Sequence, residues 1–210
     1  MIPLTTVSGP AAPLMAENVN TDVIIPMEAT SEYARDQLGP HGFGPWRYRE
    51  DGSENPDFVL NQPPWRGAPI LLARPNFGCG SSRETAVWAL NGMGIRVIIA
   101  ASFGGIFANN CYQNGTLPVV LPAATVEAFA EVARTQPEAP FTVDLERKVV
   151  VPPNGAAVAF EIDELRRQLL LTGLDDIGMT ARRLPEIAAF QVADRARRPW
   201  VYDIAEGDAP

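Results

Sequence analysis

Ser81, Ser82 and Arg83 bring two hydroxyls and a guanidinium together at the end of the run Asn76-Phe77-Gly78-Cys79-Gly80-Ser81-Ser82-Arg83-Glu84. A glycine-rich turn leading from a buried strand into a helix presents free backbone N–H groups and the positive end of the helix dipole, a setting that favours an anion. Arg83 falls in the first turn of a helix expected from Ser82 to about Met93, where its charge opposes the dipole, and a bound carboxylate would account for it. The same letters also have a purely structural reading. Ser81 and Glu84 are spaced as a capping box, Ser81 as N-cap and Glu84 as its reciprocal partner, and Gly78-Cys79-Gly80 would then be a tight turn around a buried thiol. The spacing fits neither a dinucleotide fingerprint nor a P-loop.

The other reactive side chains are few. The chain has two cysteines, Cys79 and Cys111, and one histidine, His41. A closed zinc site needs about four N or S ligands and an iron–sulfur cluster about four cysteines, so these three residues hold neither alone. Nothing marks the chain as secreted, so two reduced thiols are expected rather than a disulfide. His41 has no obvious acidic partner and is read as structural. Asp22, in Asn20-Thr21-Asp22, fits an Asx turn ahead of the apolar Val23-Ile24-Ile25. Arg35 reads either as a carboxylate contact or as a solvated surface arginine.

These residues need a folded frame, and the composition supplies one. Of 210 residues 46% are hydrophobic and 20% charged, as in ordinary globular proteins. The length predicts one domain over 1–210. The net charge of −8 repels phosphate backbones, which excludes nucleic acid as an expected partner. The first basic residue is Arg35 and Pro3, Pro10 and Pro13 interrupt the N-terminal segment, so no signal peptide is read there; no run approaches the ~18 apolar residues of a membrane span, and the cytoplasm is the expected compartment.

From Pro69 the pattern is that of α/β structure. Strands are predicted at Ile70–Ala73, Val97–Ala100 and Leu117–Leu121. Helices are predicted after each, the second with Ser102 as N-cap and Phe103, Ile106, Phe107 and Cys111 on one face, the third over Thr125–Arg134. Such alternation implies a parallel layer with right-handed crossovers. A hairpin of Phe141–Glu146 with Lys148–Val151 and a helix over Asp163–Thr172, ended by Gly173, follow. Residues 27–67 form a loop-rich excursion crowded with turn signals. Its aromatics Phe43, Trp46, Tyr48 and Trp65 must pack on the body of the domain or be covered by another protein.

The stretch Asn76 to Leu90, NFGCGSSRETAVWAL, strongly resembles the small subunits of 3-isopropylmalate dehydratase, in the aconitase superfamily. Matching motifs run along almost the whole chain: Asn18 to Pro26, Asn55 to Asn61, Ile70 to Arg74, Ser102 to Phe107 and Gly173 to Gly178. The resemblance implies a swivelling β/β/α domain, like the aconitase C-terminal domain, that closes over an active site carried by a separate large subunit. It also implies a [4Fe-4S] cluster on that subunit and none on this chain. The family reaction removes water from 2-isopropylmalate and returns it to isopropylmaleate as 3-isopropylmalate, in leucine biosynthesis. By motif match Ser81 corresponds to the base, acting as an alkoxide. Ser82 donates hydrogen bonds, Arg83 clamps a substrate carboxylate, and Asp22 matches a position near the cleft. Met27 to Arg35 stands where the family keeps a substrate-selecting loop, which makes Arg35 a candidate substrate contact.

Three departures accompany the match. Thr85 stands where the family commonly has His, Asn20 where Asp is usual, and Met27-Glu28-Ala29-Thr30 where a Tyr-Leu pattern is common. The last leaves room for a related alkylmalate or citraconate hydratase, which would share every catalytic residue named, and a noncatalytic carboxylate-binding module is the reading from another class.

Overall fold

The computed structural model describes residues 1–81, 83–153 and 155–202. Contacts group the chain into two units, Met1–Gly173 and Leu174–Pro210. In the first unit the strands are β1 (Thr6–Gly9), β2 (Ala11–Leu14), β3 (Ile70–Ala73), β4 (Val97–Ala100), β5 (Leu117–Val120), β6 (Phe141–Asp144), β7 (Val149–Val151) and β8 (Val158–Ala159). They form two four-stranded sheets, one ordered β2-β3-β4-β5 and wholly parallel, the other ordered β1-β6-β7-β8 and antiparallel.

Between β2 and β3 lie the short helices α1 (Thr21–Ile24), α2 (Met27–Glu32) and α3 (Gly44–Arg47); α4 (Glu84–Gly92), α5 (Gly105–Gln113) and α6 (Ala123–Thr135) follow β3, β4 and β5, and α7 (Glu164–Thr172) ends the unit at Gly173. The continuous apolar runs of β3 and β4 are buried on both faces, as a covered parallel sheet requires. Alternation divides them between two cores. Leu71, Ala73, Ile98 and Ala100 pack with α4, α5 and the excursion, while Ile70, Leu72, Val97 and Ile99 pack with α6 and the antiparallel sheet.

The predicted strands at residues 70, 97 and 117 are present, as is the hairpin, which sits inside a larger sheet whose outer strands β1 and β8 are too short to show a period. The edge strand β2 contains Pro13, which is tolerated there because an edge position need not donate. The second predicted helix is shifted: α5 has Gly104 as N-cap, not Ser102, and Ile106 is 65% exposed while Phe107 and Cys111 are buried.

The excursion is built of short helical turns and belongs to the core. Phe43 and Phe58 are buried, with ring centroids 5.6 Å apart, and Trp46 and Trp65 pack partly buried against the same cluster. Phe43, Trp46 and Trp65 therefore pack on their own domain, while Tyr48 stays half-buried outside the cluster, its hydroxyl donating to the Pro40 carbonyl (2.8 Å). Asn61, also buried, ties the segment together: its Nδ2 donates to the carbonyls of Arg47 (2.7 Å) and Asn55 (2.9 Å), and its Oδ1 accepts from Arg47 Nε (3.2 Å). Gly39 lies against the backbone of Gly92 so closely that a Cβ would stand 2.5 Å from the Gly92 carbonyl, which seats the excursion directly on the end of α4.

The second unit contains α8 (Asp176–Ala181) and α9 (Leu184–Arg197). The Asp194 carboxylate accepts from Arg198 (2.7 and 2.8 Å) and Tyr202 (3.0 Å), and the Arg198 guanidinium holds its pKa below the usual aspartate value.

Because Phe43 is fully buried in the shared core, Phe43→Ala is expected to cost about 3–5 kcal/mol of stability, measured by urea denaturation. A loss under ~1 kcal/mol would mean that the excursion is not part of the core.

Candidate functional site

The turn after β3 is gripped on both sides. Gly78 N–H donates to the Val19 carbonyl (2.7 Å) and Thr21 N–H to the Cys79 carbonyl (3.1 Å); on the other flank Phe77 N–H donates to Ser102 (3.1 Å) and Gly104 N–H to Phe77 (2.9 Å). The segments leaving β2, β3 and β4 thus continue side by side beyond the carboxyl ends of the strands, where open α/β sheets place their ligands. Side chains add to the grip: Ser102 Oγ accepts from Asn76 N–H (2.8 Å), which is the task of the serine expected to cap α5, and Asn76 Nδ2 donates to Asn18 Oδ1 (2.8 Å). Gly78, at φ 71°, has no alternative, since a Cβ there would lie 2.2 Å from the Phe107 ring.

The capping box does not form. The helix begins at Glu84 with Arg83 as N-cap in extended conformation and no side-chain cap bond, while Glu84 Oε1 accepts from Asn114 Nδ2 (2.8 Å). Ser81 stands exposed before the cap position. The expected Asx turn at Asp22 is made instead by Asn20, whose side chain accepts from Val23 N–H (2.8 Å) and caps α1. Asp22 is thereby free to pair with Arg83, Oδ1 to Nη2 at 2.6 Å.

Among the described residues four buried side-chain polar atoms have no partner: Arg83 Nη1 and the hydroxyls of Thr21 and Thr85, around the turn, and Trp65 Nε1 in the excursion. A buried donor left unpaired costs about 1–3 kcal/mol. An arginine with one nitrogen on an aspartate and another open can take a carboxylate oxygen.

Of the five residues expected at the site, Asp22 and Arg83 are in contact and Ser81 is two residues from Arg83; Ser82 lies outside the described residues. The Arg35 guanidinium lies over the Trp88 ring, 4.8 Å from the centroid, and its Nη2 donates to Asn114 Oδ1 (2.7 Å). Thr21 and Asn114 were not legible as participants, because one hydroxyl in a polar run and one asparagine at a helix end carry no spacing signal. His41 stacks on Tyr33 with centroids 3.9 Å apart.

Both cysteines are free. Cys79 is half-buried with Sγ 3.4 Å from the Asn18 carbonyl, and burial pushes the Cys111 thiol pKa well up. Among the described residues no three His, Cys, Asp or Glu side chains gather as a metal site, and no helix is long and apolar enough to cross a membrane. An iron–sulfur cluster does not fit this chain: its one accessible thiol cannot hold it.

A family model described as the aconitase C-terminal domain matches residues 1–124, and a second, described as LeuD_N, matches residues 127–164. The 3-isopropylmalate dehydratase small subunit of Paramagnetospirillum magneticum is 49% identical over 197 residues, covering 94% of this chain and 98% of that protein. That of Gluconacetobacter diazotrophicus is 51% identical over 196 residues, covering 93% and 95%. The chain belongs to the 3-isopropylmalate dehydratase small-subunit family. A crystal structure of 3-isopropylmalate dehydratase from Methanocaldococcus jannaschii matches with TM-score 0.63 and 25% identity, covering 88% of this chain and 99% of that one. The expected α/β fold of the aconitase C-terminal type is thus present, and membership extends over nearly the whole chain, turn and excursion alike.

The contrast between the two thiols is directly testable. Iodoacetamide should label Cys79 in the native chain and spare Cys111 until denaturant is added, as read by peptide mass spectrometry. Labelling of Cys111 at an equal native rate would refute the assigned burial.

Proposed function

We propose that the turn at residues 76–83 is this chain's half of the 3-isopropylmalate dehydratase site, completed by the large subunit that the family name implies. The observation that carries the reading is the half-satisfied guanidinium of Arg83, braced by Asp22 and with its buried Nη1 unpaired among the described residues, two positions after exposed Ser81. In the dehydration direction Arg83 holds a carboxylate of 2-isopropylmalate. Ser81, as the alkoxide, takes the proton from the carbon next to a carboxylate and the hydroxyl departs from the neighbouring carbon as hydroxide; proton and hydroxide together are the water lost, and isopropylmaleate remains. In the second half the Ser81 hydroxyl gives its proton to the carbon that carried the hydroxyl, hydroxide adds at the carbon that lost its proton, and 3-isopropylmalate forms with Ser81 again the alkoxide. The motif match supports Ser81 as base, and its freedom from capping supports the same role.

An alcohol acts as a base near neutral pH only if its pKa falls by about 5, roughly 7 kcal/mol. A helix terminus contributes at most ~2 kcal/mol. The remainder requires directed N–H groups in the turn, with Ser82 among the donors, the charge of Arg83, and removal of water when a partner closes over the site. An open face beside Ser81 does not meet that requirement, so the chain works only in the complex. The [4Fe-4S] cluster of the family is assigned to the large subunit, since Cys79 and Cys111 do not fit it. The assembled enzyme is placed in the cytoplasm.

Two measurements test this reading. The purified chain alone should contain no iron and show no turnover of 2-isopropylmalate, and addition of the large subunit should produce turnover; iron with turnover by the lone chain would refute the division of labour. In the complex, Ser81→Ala should lower kcat at least ~100-fold while the melting temperature of the chain stays unchanged, because the side chain caps nothing. Near-normal kcat would remove Ser81 from the chemistry.

A further inference from the structure

The N-terminus of α4 lacks a side-chain cap, yet it must hold Arg83 in a fixed direction. What stands in its place is a buried amide. Asn114, at the C-cap of α5 and 8% exposed, has all four of its hydrogen-bonding positions filled. Its Oδ1 accepts from Arg35 Nη2 (2.7 Å) and Trp88 Nε1 (2.9 Å); its Nδ2 donates to Glu84 Oε1 (2.8 Å) and the Asn110 carbonyl (2.9 Å). The Asn114 carbonyl in turn accepts from Asn91 Nδ2 (2.9 Å). The amide therefore joins the end of α5, the first turn and middle of α4, and the 3-10 turn Arg35–Gln37 that follows α2.

The direction of each bond is forced. Arginine and tryptophan nitrogens only donate, so they require the amide oxygen; an ionised Glu84 only accepts, so it requires the amide nitrogen. No other side chain of this size satisfies both ends, and aspartate in its place would set two carboxylates together. The arrangement places the charges of Arg35 and Glu84 on opposite sides of one dipole.

We propose that Glu84, Asn114, Trp88 and Arg35 form a positioning network that fixes the first turn of α4 and so aims the adjacent Arg83 at its carboxylate. This inference rests on the reading of Arg83 as a carboxylate contact. It gives Arg35 a role at a distance from substrate and gives Glu84 one that the capping box does not. A misdirected guanidinium weakens the hold on the carboxylate, so the loss appears mainly in KM; a network that merely stabilised the fold would reduce the amount of active enzyme and leave KM alone.

The test compares Glu84→Ala with Glu84→Gln in the complex with the large subunit. Glu84→Ala should raise KM for 2-isopropylmalate about tenfold with kcat within about threefold, and Glu84→Gln, which still offers an oxygen to Asn114, should stay within about twofold of the parent chain in both. A second arm needs neither partner nor substrate: amide hydrogen exchange of the lone chain should quicken at least tenfold over residues 80–86 in Glu84→Ala, with the amides of β3 and β4 unchanged. An unchanged KM in Glu84→Ala, or exchange rates equal to the parent, would overturn the proposal. If the parent complex fails to turn over 2-isopropylmalate, the functional reading falls, and the exchange arm alone then decides for or against the network.

Discussion

The backbone of residues 77–79 is hydrogen bonded on both sides, to residues 19–21 on one flank and 102–104 on the other. Everything else at the site depends on this lateral clamp. The parallel order of β2, β3 and β4 carries three loops out in register, and the pairing of those loops turns flexible connections into an extension of the sheet. Helix α4 then starts from a fixed point, which is why one aspartate is enough to brace the arginine at its cap. Phe107 completes the clamp from below, by filling the space in which any side chain at position 78 would lie.

The site carries its polarity in an unusual state for a folded interior. Arg83 Nη1 and the hydroxyls of Thr21 and Thr85 are withdrawn from water with nothing to bond. Trp65 Nε1, in the excursion, shares this state, whereas the buried amides Asn61 and Asn114 have every position occupied or nearly so.

Much of this was readable from the sequence because it rests on local patterns. Apolar runs gave β3, β4 and β5, Gly173 marked the end of α7, and the glycines around Cys79 marked the turn between β3 and α4. The failures share a cause. Ser81 and Glu84 have the letters of a capping box, but the helix starts two residues later, since the lateral clamp fixes where the turn can end and Asn114 offers Glu84 a better partner. Asp22 loses the Asx turn to Asn20 because the pairing of residues 20 and 79 decides where α1 begins. The contacts of Arg35 with Trp88 and Asn114 join segments that no local spacing relates. Strands β1 and β8 pair only with distant partners and are too short for a period to show.

The pairing of Ala11 with Ile70 places neighbouring strands of one sheet on either side of the entire excursion. A connection that long is slow to close if it is floppy, since loop entropy must be lost before the strand contacts return anything. Here the excursion condenses through Phe43, Phe58 and Asn61 onto the same core that receives Leu71 and Leu90, so its collapse shortens the effective span between β2 and β3. The segment that looks like decoration on the sheet is thus part of what brings the edge strand to its partner, and with it Asn18 to Thr21 to the turn after β3. During synthesis the ribosome delivers residues 11–21 first, and they must wait for β3 before the site has its second wall.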